Sequence, residues 1–101
     1  MKIQNKVFSS ISLATKAGKV TGGEFLTETS IKEGKAKLVV VANDASDNTK
    51  KKFTNSCEYY SVPILFLGSK KELGRMTGKE YRASIAVLDQ GFADMIQRNN
   101  N

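Results

Sequence analysis

Leu38-Val39-Val40-Val41-Ala42 runs straight into Asn43-Asp44-Ala45-Ser46-Asp47, and this junction decides the fold. A continuous valine-rich run of this length suits a central strand covered on both faces. The polar stretch after it supplies a loop and several helix caps. Asp44 and Asp47 also have the chemistry of a hard-cation site or a phospho-acceptor aspartate. A receiver domain would need an acidic pair after its first strand, and the sequence has none. Capping is the simpler reading.

Outward from this junction, helices and strands alternate. Ile3, Val7, Ile11 and Ala14, with Phe8 beside them, have helical spacing over 3–14, and Gly18 stands where that helix stops. Val20-Thr21 predicts a very short strand before Gly22-Gly23. Residues 24–33 read as a helix resting on Thr27 and Ile31, with Glu24 and Glu28 early and Lys32 late. After the central strand, a helix over about 47–59 carries Thr49, Phe53, Cys57 and Tyr60 on one side. Val62-Pro63-Ile64-Leu65-Phe66-Leu67 predicts a second long strand, with Pro63 near its start, where a missing N–H is tolerated. Ser69 caps a short helix over 70–77, ended by Gly78. Residues 82–88 predict a third apolar strand. Phe92, Met95 and Ile96 mark a closing helix, and 99–101 read as a frayed tail after one domain over 1–98. This alternation predicts an α/β protein, a three-layer α/β/α sandwich.

Composition restricts the chemistry. The 101 residues contain no histidine and one cysteine. That removes Ser-His-Asp and Cys-His catalysis, internal disulfides and multi-cysteine zinc sites. Neither GxGxxG nor a P-loop is present, so no nucleotide cofactor is expected, and no metal. No acid/base or nucleophile constellation assembles, and an enzyme is not expected. No apolar run spans a membrane and no secretory signal is visible, which predicts a cytoplasmic protein. Sixteen basic residues against ten acidic give a net charge of +6 and favour an anionic partner.

Several segments have both a binding and a packing reading. Lys16-Ala17-Gly18-Lys19-Val20-Thr21-Gly22-Gly23-Glu24 leads into a helix start, where free N–H groups attract phosphate. It also makes a plain strand-to-helix turn. Leu67-Gly68-Ser69-Lys70-Lys71 places an apolar residue, a glycine and two lysines together. Leu67 can abut an unstacked base while the lysines meet phosphates, or the segment is a capped helix start. Lys50-Lys51-Lys52 opposes the helix dipole and marks either phosphates or a solvated face. Cys57 is better read as a buried thiol than as a reactive one. Tyr59-Tyr60 stacks on bases or packs a helix end against the sheet, the second being preferred.

Taken together, Gly23 through Ile31 and Gly34, AKLVVVANDAS (36–46) and YYSVPILFLGSKKELGRMTGK (59–79) resemble the ribosomal protein L7Ae family of kink-turn RNA binders. DASDNTKKK, CEYYSVP, LGRMTGKE and LDQGFA resemble its bacterial, YlxQ-type branch more closely, over residues 8 to 96. The resemblance implies a mixed four-stranded sheet (L30e-like) and RNA binding without catalysis. It implies contact at Gly23 and at Leu67-Gly68-Ser69. It places the family's base-reading asparagine, glutamate and lysine at Phe25, Leu26 and Thr29, which cannot supply those hydrogen bonds or that charge. Backbone contact at Gly22-Gly23-Glu24 and phosphate contact by Lys16, Lys19, Lys70 and Lys71 remain available. The expectation is a monomer binding structured RNA, ribosomal RNA above all, with a site unlike the standard kink-turn reader. Phe25 and Leu26 would then touch bases by stacking or shape, or else be core residues that mark a loss of RNA binding. The alternative is a protein-interaction module, docking ribosomal or translation-factor proteins through Phe25 and Leu26.

Overall fold

A computed structural model describes residues 3–100, with the side chains of Ile3 and Gln4 outside the described set. The Ile3 side chain of the apolar spacing and Asn101 of the expected tail therefore lie outside what is described. The chain runs α1 (Ile3–Lys16), β1 (Val20–Gly22), α2 (Glu24–Lys32), β2 (Leu38–Val41), α3 (Asp47–Tyr60), β3 (Ile64–Phe66), α4 (Lys70–Met76), β4 (Ser84–Val87) and α5 (Gln90–Asn99).

The strands form one sheet in the order β1-β4-β2-β3. β4 is antiparallel to both β1 and β2, and β3 is parallel to β2. β1, β2 and β3 thus point the same way, and only β4 is reversed. α1 packs on α5 and α4 on one face, while α2 and α3 pack together on the other. The architecture is the expected three-layer α/β/α sandwich with a mixed four-stranded sheet.

Every side chain of LVVV in β2 and SIAV in β4 is buried, because both strands are central and helices cover both faces. Val7, Ile11, Phe53, Leu73, Ala93 and Ile96 bring the helices onto them. Burying each aliphatic side chain contributes about 1.5–3 kcal/mol before conformational entropy is charged against it.

Two expectations need correction. The strand read over 62–67 is only Ile64–Phe66. It lies at the sheet edge, paired on one side, and Phe66 is exposed. Tyr59 does not pack against the sheet: it is 80% exposed, and its ring meets Tyr60 edge-on at 4.8 Å. At the other end of the chain, α5 includes Asn99, whose side-chain amide donates to Ser10 Oγ at 2.7 Å.

Candidate nucleic-acid interface

Strand direction gathers the loops. Because β1, β2 and β3 are co-directional, the turns that follow them emerge at one end of the sheet. The segment entering β4 joins them there. Backbone hydrogen bonds lace the four together. Gly23 N–H donates to Ser84 C=O at 3.0 Å, Ala42 N–H to Ala83 C=O at 2.9 Å, and Asn43 N–H to Gly68 C=O at 2.8 Å. Asp44 Oδ1 accepts from Lys70 N–H at 2.8 Å, fixing the start of α4. Asp44 is thus a structural acceptor, and Ser46, rather than Asp47, caps α3 by accepting from Thr49 N–H. Among the described residues no group of three His, Cys, Asp or Glu side chains is placed to hold a metal ion.

Arg82 sits at the middle of this end. Its N–H donates to Lys70 C=O at 3.0 Å. Its side chain lies over Gly22-Gly23: a Cβ on Gly22 would fall 2.9 Å from Arg82 Nε, and one on Gly23 would fall 3.2 Å from Nη1. β1 and β3 are three strand spacings apart, about 14 Å. Arg82 links the two loops from between them, its backbone hydrogen-bonded to Lys70 and its side chain beside Gly22-Gly23. Among the described residues, Arg82, Lys70 and Lys71 form no ion pair.

Gly23 is the N-cap of α2, with φ of +92°, a conformation that suits glycine. No side chain caps the helix. The first-turn N–H groups are left to an outside acceptor. Glu24, in that turn, is engaged by Lys52 of α3: Lys52 Nζ lies 3.0 Å from Glu24 Oε1 and 3.4 Å from Glu28 Oε2. The Glu24 hydrogen bond, foremost, raises the Lys52 pKa above its ordinary value. Phe25, 77% exposed, and Leu26, 50% exposed, stand on the same turn.

The residues expected to form the site divide. Gly22, Gly23, Glu24, Phe25, Leu26, Gly68, Ser69, Lys70 and Lys71 gather at this end. Lys16 and Lys19 do not. Lys19 precedes β1, and its C=O accepts from Leu88 N–H at 2.8 Å, beyond the far end of β4. It lies about 13 Å of strand from Gly23. Lys16 ends α1 at the same far end. Leu67 is 7% exposed and belongs to the core, so its side chain cannot abut a base. Cys57 is buried, which pushes its pKa up to about 11 and leaves a neutral thiol.

Arg82 and the exposed Tyr81 escape sequence reading. KEYRAS carries no local signal, since Arg82 reaches Gly22-Gly23 only because β4 inserts between β1 and β2.

The chain matches the model of the Ribosomal protein L7Ae/L30e/S12e/Gadd45 family over residues 5–96. It is 47% identical over 89 residues to the "RNA-binding protein YlxQ" of Bacillus subtilis (strain 168), covering 88% of this chain and 89% of that one. It is 36% identical over 98 residues to the large ribosomal subunit protein eL30 of Methanosarcina mazei, covering 95% and 91%. Among solved structures, a protein of unknown function from Bacillus halodurans C superposes with a TM-score of 0.91 at 33% identity, covering 94% of this chain and 96% of that one. A Giardia lamblia 15.5kD RNA binding protein has the same fold, with a TM-score of 0.82 at 20% identity and coverage of 99% and 86%.

Proposed function

We propose that this chain, which belongs to the Ribosomal protein L7Ae/L30e/S12e/Gadd45 family, binds structured RNA without catalysis at the end of the sheet where Gly22-Gly23, Arg82 and the start of α4 meet. Ribosomal RNA is the partner class, since relatives are named as an RNA-binding protein and as a large ribosomal subunit protein. The protein acts as a cytoplasmic monomer. Among the described residues no helix is long and apolar enough to cross a membrane.

One observation carries this reading: Arg82 has no carboxylate partner among the described residues and its side chain lies against two glycines, beside the uncapped start of α2. An arginine laid on backbone instead of paired with an acid keeps its donors for an anion. Lys70 and Lys71, joined to it through the Lys70 C=O, extend the cationic ledge. The family's kink-turn hydrogen-bond readout is not carried over, because Phe25, Leu26 and Thr29 occupy those positions.

Filter binding to ribosomal RNA fragments across a salt series tests the proposal. About four phosphate contacts predict log K falling against log salt with a slope near −3 to −4. Replacing Lys70, Lys71 and Arg82 together by alanine should flatten that slope by about 2 to 3. Weak binding indifferent to salt and to RNA folding would overturn it.

A further inference from the structure

We propose that the cavity at the far end of the sheet, where α2 and α3 both end, binds a carboxylate carried on a branched aliphatic body. The cavity stands at the opposite end from Gly22-Gly23. Lys37, in its wall, donates its backbone N–H to Val87 C=O, the last residue of β4, at 2.7 Å.

The cavity measures about 350 Å³, a volume that suits a small ligand. Ile31, Val62 and Pro63 give it an apolar wall, Lys32 and Lys37 give it charge, and its lining contains no carboxylate. The acids nearby are engaged elsewhere. Glu33 pairs with Lys35 at 3.2 Å, and Asp89 accepts from Phe92 N–H at 3.0 Å. Glu28 lies 3.9 Å from Lys32 but 3.4 Å from Lys52, so its hold on Lys32 is the weaker. Lys37 is half-buried and has no ion pair among the described residues. Its amine reaches only Gly34 C=O, at 3.5 Å. A half-buried charge without an anion is costly, and a carboxylate would supply the missing partner.

Helix polarity sets the charge of the ligand. α2 and α3 end at the cavity, and each helix C-terminus carries about half a negative charge, so together they offset about one of the two lysine charges. About one positive charge is left for a ligand. A carboxylate matches it, whereas a phosphate monoester, at about −1.5 to −2, exceeds it. A phosphodiester has the right charge but is flanked by polar ribose where the wall is apolar. An aliphatic body gains by burial against that wall. Two sources carry this chemistry: the C-terminus of a protein chain ending in leucine or valine, and a free branched acid.

Backbone amide NMR of the isotope-labelled chain tests the site, with isocaproate as the probe. Millimolar isocaproate should shift the Gly34, Ser61 and Gln90 amides saturably and leave those of Gly22 and Gly23 unmoved. Isocaproamide and dimethyl phosphate should not. Lys37→Gln should weaken binding about fivefold or more, since it removes a charge-assisted contact from a half-buried position. Lys32→Gln, at an exposed side chain, should weaken it in the same direction without risk to the fold. Lys35→Gln removes the same charge from the same turn but outside the cavity, and should leave binding unchanged. Urea midpoints of the variants should stay near that of the wild type. The acetylated peptide Gly-Gly-Leu separates the sources. Binding tighter than isocaproate assigns the site to a protein C-terminus, weaker binding assigns it to a free acid, and both support it. Equal shifts from isocaproamide mean an apolar dent without charge recognition, and equal shifts from dimethyl phosphate mean a general anion site. Either result overturns the proposal. So do unchanged affinity in both cavity-lysine variants, equal weakening by Lys35→Gln, or no saturable shift at all.

Discussion

A side chain at Gly22 or at Gly74 would collide with a neighbour, but with a different kind of neighbour and different consequences. A methyl group on Gly22 would meet Arg82 Nε at 2.9 Å and Ile85 Cγ2 at 3.3 Å. The first is part of a long side chain that can swing away. On Gly74 it would meet Glu80 C=O and Tyr81 N, both backbone, at 2.5 and 2.7 Å. Backbone cannot yield without separating α4 from the segment entering β4. Gly22→Ala is therefore expected to cost under about 1 kcal/mol of stability, yet to displace the guanidinium and weaken RNA binding. Gly74→Ala is expected to cost about 1–3 kcal/mol, the range for overpacking. Urea denaturation of each variant beside filter binding checks the split. A large stability loss at Gly22, or none at Gly74, would contradict these contacts. Gly74 also explains a glycine inside a helix, where one costs about 1 kcal/mol relative to alanine. It is there so that another backbone can pass.

At the scale of the element, α4 has only seven residues, too few to persist alone. Its start is built from reciprocal hydrogen bonds: Ser69 Oγ accepts from Glu72 N–H at 3.0 Å, and Ser69 N–H donates to Glu72 Oε1 at 2.9 Å. Asp44 adds a third by accepting from Lys70 N–H. Ser69→Ala removes one partner of the capping box and should lower stability by about 1 kcal/mol. The urea midpoint should fall with an unchanged m-value, because the extent of unfolding is the same. This cap is legible in the sequence since Ser69 and Glu72 are three residues apart, as is the buried strand in LVVVA, whose apolar run is continuous. What separates β2 from β3 is invisible locally. Val62 through Leu67 reads as apolar as 38–42, but its neighbours in the sheet are decided by topology, and topology places it at the edge. The Arg82 contact with Gly22-Gly23 is hidden for the same reason, since it joins residues far apart in the chain.

For the molecule as a whole, strand direction sorts the charge. Three strands leave at one end, carrying Gly22-Gly23, the α3 cap and Lys70-Lys71 with them, while α1 delivers Lys16 and Lys19 to the other. In the sequence, Lys19 stands only three residues before Gly22 and reads as part of one phosphate-binding turn; β1 intervenes and carries the two apart. About 13 Å of strand exceeds the Debye length of roughly 8–10 Å at ordinary ionic strength, so Lys19 contributes little to the field at the ledge. Replacing Lys16 and Lys19 together by alanine should leave the salt slope of RNA binding unchanged. Replacing Lys70 and Lys71 should flatten it by about 1.5 to 2, although both double variants remove the same two charges. That equality is what makes the comparison decisive: a general effect of net charge would lower both slopes alike, and a bound RNA confined to one end of the sheet lowers only one. Equal losses in the two variants would mean that RNA wraps from end to end, and the single ledge around Arg82 would no longer describe the interface.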